Sequence, residues 1–471
     1  MLKPLTICTG FCLLMTSVVF AEGSLRAGAA VASINPEKLP VSMTGGFQDR
    51  LAMRVHDPLH ARCVILDDGK TRVAIVVCDS CLITRDIYDK SKAEAAKLTG
   101  IPTRHMLTAA THTHTAPTAV PLAQCRPDPD YVSYLTNQIT QVIVRANAQL
   151  QSAKIGWGVV QVAEEINNRR WFVKPPALAP NPFGNTNDQV RMNPPPGSNL
   201  LIRPAGPVDP DVTFVSVQDA QGRALSLLAN YGLHYVGGIP QGELSADYFG
   251  EFARQITDRL GGSKQFVGIM SNGASGDVNN YQFVEPRPRS GAFVRVREVA
   301  SLVADRVAAA NKKVAFGSDI NLQMSQVTIP LGVRQPEAAE VTYAEKLLAN
   351  AADPDRLTKN EVYARETIHF AQTSPRVQIK LQTITIGELA IVAIPCEVFA
   401  EVGLEIKRRS PFATTCIIGL ANGYNGYLPS PRQHRLGGYE TWRSRWSYLE
   451  TEASTKIVDT VLGQLMKHRQ R

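Results

Sequence analysis

Apolar positions along the chain fall into two alternating patterns: short continuous runs, and stripes with helical spacing. Runs rich in Val, Ile and Ala predict strands at 25–34 and 61–78, the second split into a hairpin by Asp67-Asp68-Gly69. One apolar face over 84–98, stopped by Gly100, predicts a helix, and a short apolar strand follows at 106–111. This strand–helix–strand order indicates an α/β protein. Further helices are predicted at 131–151, 247–260, 294–311 and 336–370. Further strands are predicted at 153–162, 211–217, 224–231, 266–270, 377–386 and 389–395. The pair around Gln221-Gly222 and the pair around Gly387 read as antiparallel. From 175 to 210 Pro, Asn and Gly take over, which predicts a long loop of the kind that shapes a site entrance. No repeat, low-complexity tract or linker is visible, so the expected partition is one large mixed α/β domain over 22–471.

The N-terminus follows a different rule. Lys3 precedes an apolar run over 5–20, and small Val19 and Ala21 occupy the −3 and −1 positions of a cleavage site. The run is shorter than the roughly 20 residues a spanning helix needs. A signal peptide over 1–21 is expected, with export to the periplasm or the outside. No later run is long enough to span a membrane.

Composition then excludes several classes. The chain has 471 residues, 44% hydrophobic and 20% charged, enough for a large core. The net charge is +8, but the basic residues are scattered and no nucleic-acid motif is present. At most peripheral contact with an anionic membrane surface is expected. Of eight cysteines, Cys8 and Cys12 fall in the signal segment. The other six are too sparse for a disulfide-built fold, and Cys78 and Cys81 form a CxxC without a second one. Cys78, at a strand end, is expected to be a buried thiol.

The candidate chemistry sits just past apolar strands. Thr111-His112-Thr113-His114-Thr115-Ala116-Pro117 follows the strand at 106–111. In an extended segment His112 and His114 point to one side. Both can bind a metal, or one can bind it while the other contacts substrate. His234 and Glu397 also follow apolar strands, and a charge there is costly unless paired or coordinated. Two loops complete the set: 271–279, and 421–427 with Tyr424 and Tyr427. A tyrosine beside a metal can ligate it or stabilise an oxyanion. Gly273-Ala274-Ser275-Gly276 is not a GxSxG elbow, so a serine α/β-hydrolase is not expected.

Taken in order, these segments resemble the neutral/alkaline ceramidase catalytic domain, from about Arg26 to Arg443. The pieces are His56-Asp57-Pro58-Leu59, the THTH motif, Asn168-Arg169, Leu244-Ser245-Ala246-Asp247-Tyr248, Gly276-Asp277-Val278, Pro395-Cys396-Glu397, and Tyr427 with Tyr439-Glu440. The resemblance implies a layered mixed-sheet α/β domain of that type, without the family's C-terminal β-domain. It implies a Zn2+ held by His112, His234, Glu397 and Tyr427, with His114, Arg169 and Tyr439 acting on the scissile amide. Asn279 stands directly after Gly276-Asp277-Val278, where members often carry serine. The resemblance therefore implies water activated by zinc rather than a covalent serine. The expected activity is exported zinc-dependent hydrolysis of a small-molecule or lipid N-acyl amide, ceramide-like or otherwise. Two alternatives are a zinc esterase or lactonase on the same site, and a non-catalytic exported binding protein. A binding protein is expected to lose at least one ligand, and all four are present.

Overall fold

The computed structural model describes residues 25–175, 177–262 and 265–470. The expected signal segment, 1–21, lies outside the described residues.

An eight-stranded sheet runs in the order Val267–Asn272, Ala224–Tyr231, Asp211–Asp219, Gln151–Gln161, Arg26–Ser33, His60–Asp67, Arg72–Cys78, Met106–Ala110. Its middle is antiparallel, and the strand pair at each edge is parallel. A second sheet has the order Leu322–Gly332, Arg376–Ile386, Leu389–Ala393, Thr414–Ile418, and its last pair is also parallel. Val64, Leu66, Ile75 and Leu228 of the first sheet pack in one cluster with Ile384, Ile386, Ile391 and Ile418 of the second. The sheets therefore stack face to face. Their outer faces carry helices. Arg85–Thr99 and Pro129–Ala148 cover one half of the large sheet, and Asp247–Arg259 and Val294–Asn311 the other. Lys359–Ala371, Ala400–Arg409 and Ala453–Arg469 cover the small sheet.

Four layers, helix–sheet–sheet–helix, explain the hydrophobic runs. A strand buried on both faces has no reason to alternate, and Arg72–Cys78 is buried at every position after the first. The layered mixed-sheet expectation agrees with this arrangement.

Three local expectations need correction. The helix expected over 336–370 is two helices, Ala338–Ala349 and Lys359–Ala371. Pro354 in the break cannot continue a helical hydrogen-bond ladder. Thr358 restarts it through a capping box with Glu361. The loop over 175–210 contains two short strands, Val190–Met192 and Leu201–Pro204, which flank Arg170–Val173. Strands of three or four residues carry too little alternation to read. The THTH segment is not extended throughout, because His112 has φ +79°.

The parallel pairs decide where chemistry can sit. The carboxyl ends of parallel strands are where open sheets place ligands. Met106–Ala110 leads into His112, Ala224–Tyr231 into His234, Leu389–Ala393 into Glu397, and Thr414–Ile418 into Tyr424 and Tyr427.

Candidate metal centre

His112 leaves its strand in the left-handed region, a costly conformation for a residue with a Cβ. Its neighbours hold it there. Its backbone N–H donates to the Ser80 carbonyl at 2.9 Å. Thr113 and Thr115 hydroxyls donate to the Ser245 carbonyl at 2.7 and 3.0 Å. Ser245 and Ala246 are in turn bound by Asp57, at 2.5 and 2.7 Å. Asp247, at the head of its helix, accepts from the backbone N–H groups of Val236 and Gly237 at 3.0 and 2.9 Å, fixing the turn after His234. The 275–278 loop lies directly on the Glu397 backbone. A Cβ on Gly276 would sit 2.4 Å from the Glu397 carbonyl oxygen, so only glycine fits.

Three ligating atoms converge on this frame. His112 Nε2 lies 3.0 Å from His234 Nε2 and 3.3 Å from Glu397 Oε2, with 3.9 Å between the last two. His112 Nδ1 lies 3.1 Å from the Cys81 carbonyl, and His234 Nδ1 lies 3.0 Å from the Ser275 carbonyl. A proton on each Nδ1 satisfies its carbonyl, and in that tautomer each Nε2 turns a lone pair toward the cluster, as metal ligation needs. Glu397 Oε1 accepts from the Tyr424 hydroxyl at 2.9 Å, whereas Oε2 is buried with no donor. Two imidazole nitrogens and a carboxylate oxygen in mutual contact call for positive charge between them, from a metal ion or from a proton on His112. Ligands about 2.0–2.2 Å from a tetrahedral ion stand roughly 3.3 Å apart, and these separations bracket that value. Outer carbonyls that fix each ring are a usual support of metal-bound histidine.

The protonation pattern makes the same demand. Burial opposes charge on His112, but Cys81 and Glu397 outweigh it and lift its pKa to about 10. Burial and the neighbouring His112 drive His234 and His114 well below the ordinary histidine value. Without a metal, a proton on His112 beside Glu397 supplies the positive charge, and a metal ion would take that proton's place. A second group, Cys81, His112 and His114, also brings metal-binding atoms together. It is the poorer candidate, because Cys81 Sγ faces His112 Nδ1 (3.7 Å), whose proton the Cys81 carbonyl holds.

Tyr427 lies in a short parallel pairing with Glu397, at the edge of the cluster. Its hydroxyl accepts from Arg169 Nη2 at 3.0 Å, which leaves a lone pair compatible with ligation. Arg169 Nη1 lies 3.3 Å from His234 Nε2, and its Nε donates to Glu440 at 2.8 Å. His114 Nε2 is 3.2 Å from His112 Nε2, but His114 is not in the group with Glu397. Its ring stacks on Tyr235 with centroids 3.8 Å apart. It also rests on Gly45, where a Cβ would come within 2.7 Å of Nδ1. Tyr439 packs edge-on against Tyr427, and burial, with Glu397, pushes its pKa up, so it stays a donor. Among the described residues its hydroxyl has no hydrogen-bond partner.

All seven sequence-derived site residues line one cavity of about 510 Å³. Its walls include Phe47, Leu82, Leu122, Leu178, Pro180, Trp442 and Trp446, and the 175–210 segment forms one side. Asn279 does not line it. Its amide donates to Asn193 at 2.6 Å, so Asn279 braces the neighbouring segment. Ser275 donates to Asn272 at 2.6 Å, away from a nucleophile's role. The six described cysteines are buried and unpaired with one another.

Sequence reasoning did not assign Tyr424 or Glu440 a role. Glu440 is fully buried and takes Arg169 on one oxygen and Arg170 on the other, at 2.8 and 2.6 Å. The adjacent Arg169-Arg170 pair beside an expected site was a usable signal, since two buried arginines need an acid.

Two solved structures share this architecture. A ceramidase complexed with C2 matches with a TM-score of 0.71 at 16% identity, covering 95% of this chain and 76% of that one. The neutral ceramidase from Pseudomonas aeruginosa matches with a TM-score of 0.69 at 16% identity, covering 96% of this chain and 75% of that one. No family model matches the sequence, and no curated protein matches it. The chain has the fold of the neutral ceramidases.

Proposed function

We propose that residues 22–471 act as one zinc-dependent amidohydrolase that cleaves an N-acyl amide, ceramide-like or otherwise. The observation that carries this reading is the buried Glu397 Oε2, without a hydrogen bond, facing the Nε2 atoms of two histidines in an apolar-walled cavity. The likeness in fold to ceramidases supports an amide with a lipid acyl chain.

His112, His234 and Glu397 would hold the ion, with Tyr427 as fourth ligand. Nitrogen and carboxylate donors of this kind suit Zn2+, which lowers the pKa of a water to about 7 and polarises a carbonyl. Tyr424 turns Glu397 so that Oε2 faces inward. His114 is uncharged at neutral pH. It can take a proton as water adds to the carbonyl carbon and deliver it to the amine nitrogen as the C–N bond breaks. Tyr439 and Arg169 are the donors placed to stabilise charge on the carbonyl oxygen. The products are a carboxylate and a free amine. We propose also that 1–21 is a cleaved signal, so that the exported protein begins at Glu22, which N-terminal sequencing would read directly.

Elemental analysis of the purified mature protein tests the core of the reading. About one zinc per chain is expected, and none in a His112→Ala/His234→Ala variant. Wild-type protein that holds no zinc after incubation with it, or zinc-loaded protein inert to every N-acyl amide including short-chain ceramide, would refute it.

A further inference from the structure

The cavity floor is rich in acceptors, but one side of its rim offers almost only donors. Lys359 stands over the face of Trp442, its Nζ 4.3 Å from the ring centroid. Arg191 donates one N–H to the Ala177 carbonyl at 3.1 Å. Neither cation has a carboxylate within 4.0 Å among the described residues, and both face the cavity rather than open surface alone. Asn193 has its amide oxygen taken by Asn279, which leaves its NH2 group as the free end. The one acid on this side is Asp188. Its Oδ2 accepts from the Trp442 indole N–H at 2.8 Å, its Oδ1 packs against Gly437, and its charge acts on Lys359 from beyond 4.0 Å. All four side chains line the same cavity as the metal cluster.

A neutral sphingoid amine leaves Arg191 without an acid and Lys359 with only the more distant Asp188. A carboxylate in the cavity adds the negative charge that this side lacks, and charge-assisted bonds to a carboxylate are about twice as strong as neutral ones. We propose that the preferred substrate is an N-acyl amino acid, its acyl chain along the apolar walls and its carboxylate at Lys359 and Arg191. This rests on the N-acyl amidase reading and narrows it. The reaction balances as N-acyl amino acid plus water giving a fatty carboxylate and a free amino acid. The rim cations touch a group that does not change charge during the reaction, so their contribution belongs in KM rather than kcat.

The test compares N-dodecanoylglycine with the near-isosteric neutral N-dodecanoylglycinamide on the zinc-loaded protein, with N-acetylsphingosine as a third substrate. Wild type is expected to prefer the carboxylate about tenfold or more in kcat/KM, through KM. Lys359→Gln and Arg191→Gln should each shrink that ratio several-fold. Salt near 1 M should shrink it too, since the screening length falls to about 3 Å. Equal rates on the glycine pair, or a ratio untouched by Lys359→Gln, overturn the proposal. Cleavage of N-acetylsphingosine with N-dodecanoylglycine left intact overturns it while the amidase reading stands. Refusal of all three overturns it, and the amidase reading falls with it if every other N-acyl amide is refused as well.

Discussion

Glu440 and Glu397 are both buried beneath the same cavity, and their surroundings could hardly differ more. Glu440 meets two guanidinium groups, one on each oxygen, and burial is outweighed so that its pKa falls below the ordinary value. Glu397 receives one phenol on Oε1, and its Oε2 has no hydrogen bond but faces His112 Nε2 at 3.3 Å. The first carboxylate is neutralised by permanent cations of the protein, and the second depends on a proton at His112 or on a metal ion. Asp277 lies between these extremes. It is held only by neutral donors, Ala400 N–H at 2.8 Å and the Asn168 amide at 2.7 Å, and burial lifts its pKa to about 6. Three buried acids in one site thus separate structural ion pairing from ligand binding.

The largest effect should come from Glu440→Gln. It strands two buried cations and should cost about 3–5 kcal/mol in urea unfolding, whereas Glu397→Gln should leave the metal-free protein as stable as wild type or more so. Equal losses in the two variants would erase the contrast. Next, stripping zinc with a chelator should destabilise wild type by about 4 kcal/mol when the ion had stood near 1,000 times its Kd. The Glu397→Gln variant should show little of that change, and a matching loss there would place the ion elsewhere.

Asp277 gives a pH-dependent effect. Its folded pKa is raised from 3.8 to about 6, so its stabilising contribution is complete below about pH 4 and is lost as pH rises through 6. Two units correspond to about 3 kcal/mol. Relative to Asp277→Asn, wild type should be more stable at pH 4 than at pH 7, and parallel pH profiles for the two proteins would contradict this. The smallest effect is expected for Tyr424→Phe, which frees Glu397 Oε1. Zinc affinity should drop about 10- to 100-fold, as for other outer partners of metal ligands, with little change in metal-free unfolding.

Much of this was legible in the sequence for a physical reason. Strands buried on both faces are written as continuous apolar runs, and the residues that follow them mark the strand ends where sites form. His112, His234 and Glu397 could be picked out that way. What stayed hidden is of two kinds. Leu322–Gly332 alternates polar and half-buried residues at a sheet edge, which leaves no apolar run to read. The clamp of Arg169 and Arg170 on Glu440 joins residues about 270 apart, and no local pattern records such a meeting. His112's positive φ was equally invisible, because it is imposed by partners at Ser80 and Ser245 rather than by its own residue type.

The span of the site along the chain has a consequence for assembly. His112 and His234 are 122 residues apart, and Arg169 and Tyr427 are 258 apart. Closing such long loops is slow and comes late in folding. The cluster therefore cannot exist on a nascent or partly threaded chain, and no truncated fragment ending before Glu397 can retain it. If the chain is carried across a membrane unfolded, the ion is acquired on the far side, and the metal supply of that compartment decides what occupies the site.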